Sequence, residues 1–174
     1  MPENDWTLDV NAIISANRGR SAGELAVRSL LLGIAEKGYL CWSAAIAAAY
    51  SARGAIALNH ANPPPPVPVR NIRNPQWFEN WLLRPEVPSR IYAPRLQRLT
   101  GAERDELRQA QFRDRDDFPF LVLARSSQSR RLVTREEDFN RQALQGIRRI
   151  LHVVCMEYEE ARDECGRYRP VENE

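Results

Sequence analysis

Between Thr134 and Cys165 the chain reads TREEDFNRQALQGIRRILHVVCMEYEEARDEC, and the spacing of its apolar residues decides how the fold is read. Thr134 and Glu137 stand three apart, the reciprocal pairing of a capping box that satisfies free amides at a helix start. Ala143, Leu144, Ile147, Leu151, Val154, Tyr158, Ala161 and Cys165 then recur at the three- and four-residue intervals of one helix face. Gly166 follows as a terminator. The pattern predicts one continuous helix, roughly 45 Å long at 1.5 Å per residue.

Working outward, Phe118–Ala124 is an apolar run that fits a buried strand or a helix begun by Pro119. With no partner strand legible elsewhere, the helix is preferred. Thr100-Gly101-Ala102-Glu103 and Ser21-Ala22-Gly23-Glu24 are two more capping boxes, each opening a helix. Thr7 is read as the cap of a short helix that stops at Asn17-Arg18-Gly19, and Gly38 as a left-handed stop for the helix after Ser21. From Ser43 to about Leu58 the residues are mainly alanine, which predicts a central helix packed on most sides. Asn62-Pro63-Pro64-Pro65-Pro66-Val67-Pro68 leaves that helix as a stiff polyproline II connector. Asn74-Pro75 opens a short helix carrying Trp77, Phe78, Trp81 and Leu82. The expected fold is therefore all-α: a single helical domain over 1–174, with five to seven helices. Its parts are N-terminal helices in 1–61, a proline-rich connector in 62–75 and C-terminal helices in 76–174.

The 174 residues are 43% apolar and 28% charged, enough for one domain with a sizeable core and incompatible with wholesale disorder. No stretch is apolar enough to insert in a bilayer, and the first residues carry no signal-peptide pattern. Three cysteines without paired spacing (Cys41, Cys155, Cys165) argue for a reducing, cytoplasmic setting.

The charge is unevenly spread. Residues 70–131 carry 13 basic against 8 acidic groups, and residues 132–174 carry 7 against 10. Of the 25 basic residues, 24 are arginine, whose planar fork suits phosphate and carboxylate and stacks on bases. Codon usage is the bland account of that bias. On the expected long helix, Arg141, Arg148 and Arg149 fall away from the apolar stripe, with Arg130 and Arg131 just before it and Arg125 a turn earlier. These residues form a candidate phosphate-tracking strip, with Arg90, Arg95 and Arg98 a second cluster. The competing reading is a solvated face with pairs such as Glu137–Arg141. Glu157, Glu159, Glu160, Asp163 and Glu164 would crowd a helix C-terminus, where the dipole disfavours acids. An acidic end near a basic edge suits head-to-tail stacking of identical copies.

Catalytic chemistry finds little support at this level. There are two histidines, His60 and His152, and no Cys-x-x-Cys, His-Glu-x-x-His or glycine-rich phosphate loop. Asp114, Asp116 and Asp117 could bind a cation, but capping and local ion pairs explain them. Arg53 and His60 match the spacing of the helical HEPN ribonucleases, although Gly54 and the proline run depart from that pattern. No catalytic residue, metal or cofactor is expected.

Three segments together resemble a known family: Glu36-Lys37-Gly38-Tyr39-Leu40 turning into the alanine helix, Trp77-Phe78-Glu79-Asn80-Trp81-Leu82, and Asp138 to Leu151. Their order is similar to the small, all-helical subunit of multi-subunit CRISPR effector complexes, of the type III Cmr and type IV kinds. The resemblance implies a non-catalytic RNA-binding subunit present in several copies. It would contact guide RNA, target nucleic acid and other effector subunits without sequence specificity, and no membrane. The alternatives are a protein-interaction module of antitoxin, immunity or adaptor type, using the Trp77/Trp81 face and the proline run, and a HEPN-like ribonuclease.

Overall fold

The computed structural model describes residues 3–56, 76–135 and 139–167. The proline connector, His60, and Glu136 to Asp138 lie outside them. The chain opens with β1 (Asp5–Leu8), whose four residues are all buried. It continues through α1 (Val10–Arg18) and α2 (Ala22–Lys37) to β2 (Tyr39–Cys41), then α3 (Ala44–Ala52) and α4 (Trp77–Leu82). A 3-10 turn, Val87–Arg90, leads into β3 (Ile91–Tyr92). α5 (Gly101–Gln109) and α6 (Phe118–Ser126) precede β4 (Arg131–Val133), and α7 (Arg141–Leu151) precedes β5 (Val154–Met156) and α8 (Tyr158–Arg167).

The strands form one five-stranded sheet in the order β3-β2-β1-β4-β5, and every pairing is parallel. The expected all-α bundle is thus corrected to an α/β fold. The central pair is β1 and β4, with Thr7 opposite Leu132 and Leu8 opposite Val133. Because β1 and β2 come from the first half of the chain and β3 to β5 from the second, both halves share one sheet. Parallel neighbours need crossover connections, which is why helices stand between consecutive strands. α1, α2, α4 and α8 pack as one group and α5 and α7 as another, while α6 lies on β1 and β4.

The expected long helix is three elements. Asn140 caps α7 by accepting from the Ala143 amide at 2.8 Å. His152 takes a left-handed conformation (φ 55°) and ends it. Val153, just before β5, and Met156 within it, both off the predicted stripe, are buried, and Val154, on the stripe, is 39% exposed. Leu151, Tyr158 and Ala161 kept a helical interval only by accident of a three-residue strand. The Thr134 amide donates to the Met156 carbonyl at 3.0 Å, extending the β4–β5 ladder, and the Glu137 of its expected capping box lies outside the described residues.

Three smaller readings also change. Asp9, not Thr7, caps α1, and Thr7 lies in β1. Gly38 is extended (φ −123°), and glycine is needed there because a Cβ would meet the Ile34 Cα at 3.1 Å and the Asn4 carbonyl oxygen at 3.2 Å. α3 buries Ile46, Ala47 and Tyr50 on one face and leaves Ala44, Ala45 and Ala48 exposed, so it is a surface helix. The capping boxes of α2 and α5, the left-handed Gly19 and the helical reading of Phe118–Ala124 all hold. No helix among the described residues is long and apolar enough to cross a membrane.

Candidate functional site

In an open parallel sheet, ligands bind outside the carboxyl ends of the strands where the strand order reverses. Here the reversal lies between β1 and β4, since β1 leads outward to β2 and β4 leads outward to β5 in the opposite direction. The first residue after β1 is Asp9 and the first after β4 is Thr134.

Asp9 is 4% exposed. One carboxylate oxygen accepts from the Ala12 amide at 2.7 Å and so caps α1. The other accepts from the Thr134 hydroxyl. Its main chain joins the sheet as well, the Asp9 amide donating to the Val133 carbonyl at 3.1 Å. The carboxylate is therefore rigidly set. Behind it, Tyr50 donates to the Leu8 carbonyl at 2.7 Å. Burial pushes the Tyr50 phenol well above its ordinary range, with the Asp9 charge adding to the effect.

α6 leads into β4 and runs antiparallel to it, so its N-terminus stands at the same edge of the sheet as Asp9. Tyr50 packs on Phe120 (5.9 Å between ring centres), and the Asp117 carbonyl accepts from the Phe120 amide, which ties the start of α6 to the end of β1. Asp117 occupies the N-cap position of α6, where its side chain accepts no capping hydrogen bond. Asp114 accepts from the Asp116 amide at 2.8 Å, and Asp116 meets Arg53 at 3.6 Å. A cleft of about 270 Å³ opens here, lined among others by Val10, Arg53, Arg115, Asp116 and Asp117. A second cleft of about 340 Å³ adjoins it through Arg115 and is lined by Arg98, Arg104, Arg108 and Phe118.

The arginines singled out in the sequence do not form one strip. Arg125 pairs with Glu103 at 2.7 Å. Arg131 pairs with Glu164 at 2.6 Å and lies over the Trp6 ring, at the opening of β4 and so at the far edge of the sheet. Arg130 beside it is left-handed (φ 52°), its carbonyl accepting from Val154. Arg90 donates to the Glu36 carbonyl and covers Tyr39. Arg95 is exposed on the segment after β3. Arg141 stands in the first turn of α7 and Arg148 and Arg149 in its last, all exposed. Of the nine, Arg98 alone joins the second cleft.

The acidic crowding of the C-terminal region also resolves. Glu159 and Glu160 are in the first turn of α8, where the helix dipole favours acids, so the argument for head-to-tail stacking loses its basis. Trp81 is buried and donates to the Leu31 carbonyl, and Trp77 lies under Arg28, which occupies the tryptophan face proposed for a partner. The cysteines are inert: burial raises all three thiols, Cys155 to about 12. Among the described residues no three His, Cys, Asp or Glu side chains are grouped as a ready-made metal site.

No protein-family model, curated protein or solved structure matches this chain. Nothing therefore links it to the CRISPR small subunits, and the all-helical order on which that resemblance stood is replaced by the parallel sheet.

Sequence reasoning missed Asp9 altogether. The available signal was an acid directly after the apolar Trp6-Thr7-Leu8 run and directly before a helix, the strand–acid–helix order of a switch-point residue. Asp117 belongs to the trio that the sequence assigns to capping and local ion pairs, and of these two roles its side chain does not fill the cap.

Proposed function

We propose that the protein is a divalent-cation-dependent phosphodiesterase that cuts nucleic acid strands at the crevice between β1 and β4. The observation that carries this reading is the buried, doubly held Asp9 carboxylate at the switch point, one residue before Val10, which lines a cleft supplied with Asp117, Arg53 and Arg115. A magnesium-type cation takes hard oxygen ligands and is commonly held by one or two carboxylates plus substrate phosphate oxygens, so a complete protein cage is not required. Such a cation supplies charge neutralisation at the phosphoryl oxygens and a nucleophilic water at neutral pH. Hydrolysis then adds the water oxygen to phosphorus, breaks one P–O ester bond and releases an alcohol. In this reading Asp9 and Asp117 hold the cation, Thr134 fixes the orientation of the Asp9 carboxylate, and Arg53 and Arg115 clamp the phosphate. In the sequence Glu136, Glu137 and Asp138 follow Thr134 within four residues and belong to the same test.

This reading replaces the expectation of a non-catalytic subunit, because the fold supplies a crevice that an all-helical bundle lacks. The three free cysteines favour a reducing, cytoplasmic setting. The test incubates the purified chain with end-labelled single-stranded RNA and DNA, with magnesium or manganese and with a chelator. Metal-dependent cleavage that disappears in Asp9→Asn is expected. Binding without cleavage under every metal would overturn the enzymatic reading in favour of a non-catalytic backbone-binding role.

A further inference from the structure

We infer that the cleft between α5 and α6 is a holding site for a single-stranded nucleic acid, with arginines on its phosphates and Phe118 stacked on a base. The inference deepens the proposed function, since it rests on the neighbouring crevice being where a phosphodiester is cut.

The charge in this cleft is poorly compensated. Arg98, Arg104, Arg108 and Arg115 all line it and all are exposed. Arg108 pairs with Asp105 at 3.0 Å, an exposed contact that salt screens readily. Arg104 donates to the Leu99 carbonyl, which spends a hydrogen bond but neutralises nothing. Arg98 and Arg115 form no ion pair among the described residues. Glu103 of α5 is held by its pair with Arg125 and does not line the cleft. Four guanidinium groups and no carboxylate line the cleft itself, with Asp105 beside Arg108 and Asp116 and Asp117 on the far side of Arg115, and this lining favours a polyanion.

The aromatic side of the cleft narrows the polyanion to one with bases. Phe118 is half-buried and backed edge-on by Phe112 at 5.3 Å, and Phe112 is itself stacked on Phe139 at 5.7 Å. The Phe118 ring is therefore held by a ladder of aromatics behind it while one side meets the cleft. A charged groove beside a rigid aromatic ring is how sequence-tolerant binders hold single strands, because every base has a face to stack. A duplex, with its bases stacked internally, has none to offer. Arg115 lines both clefts, so a strand held on Phe118 leads on into the cleft lined by Asp117 and Val10, the residue after Asp9.

The experiment measures binding apart from cleavage. Asp9→Asn protein in chelator is titrated into a labelled ten-nucleotide single strand, its abasic counterpart and a duplex of the same length, followed by fluorescence anisotropy. The single strand binds best, and each of Arg98→Ser and Arg115→Ser lowers the slope of log affinity against log salt by about 0.7, the value for one single-strand phosphate. Phe118→Leu weakens the base-bearing strand by about 5- to 150-fold and leaves the abasic strand unchanged, as loss of one stacked base requires. Equal loss on both strands, or unchanged binding in the arginine variants, would overturn the holding site. Because cleavage is not read, a chain that binds in this way yet never cuts sinks the phosphodiesterase and leaves the holding site standing. A chain that cuts with unchanged affinity in Arg98→Ser, Arg115→Ser and Phe118→Leu does the reverse.

Discussion

The Thr134 hydroxyl donates to the Asp9 carboxylate across the ends of the two central strands, joining residues 125 positions apart. This one bond ties the sheet's central pairing to the residue on which the proposed chemistry depends.

Thr134→Val keeps the shape and removes the donor. An orphaned buried acceptor costs about 1–3 kcal/mol, which urea unfolding will register. Cleavage falls about 10- to 100-fold, the usual effect of losing a partner that orients a metal ligand. Thr134→Ser restores both, which separates the hydroxyl from the methyl.

Asp9→Asn tests charge without dismantling the fold. Asparagine caps helices about as well as aspartate, so α1 keeps its Ala12 bond, and the Thr134 hydroxyl can turn to accept from the new amide. Unfolding should shift by no more than about 1 kcal/mol while metal-dependent cleavage is lost. A collapse of stability with the same loss of activity would instead make Asp9 a structural residue.

Glu103 carries a pH signature. The Arg125 guanidinium, then the Thr100 amide, hold its carboxyl down at about 2 against an ordinary 4.5. A depressed carboxylate stabilises the fold fully above 4.5 and progressively less as pH falls toward 2. Wild type should therefore exceed Glu103→Gln in urea midpoint at pH 7, with the gap narrowing through pH 4 and 3. A gap that stays constant over that range would mean the pair contributes no charge-dependent stability.

Gly146 in α7 lies where α5 ends. A Cβ there would stand 2.4 Å from the Ala110 Cβ, so Gly146→Ala must push the two elements apart. Overpacking of this kind costs about 1–3 kcal/mol. Intrinsic helix propensity alone predicts a gain of about 1 kcal/mol. Net destabilisation, relieved by adding Ala110→Gly, is the expected outcome in a double-mutant cycle.

Local chemistry was legible in the sequence and the sheet was not. The boxes at Ser21 and Thr100 use only neighbouring residues, so their pattern survives any tertiary arrangement. The strands have two to four residues, too few for a period to emerge, and β1 is buried on both faces, which erases alternation. Thr134 and Glu137 look like a cap because the spacing is right; the strand supporting that threonine lies at the other end of the chain. Asp9 was hidden for the same reason. A carboxylate gains its meaning from the strand beside it, and β4 is invisible to a window centred on β1. The arginine excess was seen correctly, but distributing it needed the turn at His152, which sends Arg148 and Arg149 away from the crevice.

The order of strands also bears on how the chain comes into being. β1 is made long before its partner β4, which is not complete until residue 133 has been synthesised. Domains rich in such distant pairings fold slowly, because the closing of a long loop precedes any reward from contact. During synthesis at about 5–20 residues per second, the nascent chain spends several seconds with the middle of its sheet half-built. Asp9 and Thr134 meet only near the end of that interval. A truncated product that stops before β4 lacks the Thr134 hydroxyl that holds Asp9, and so lacks the centre of the proposed site.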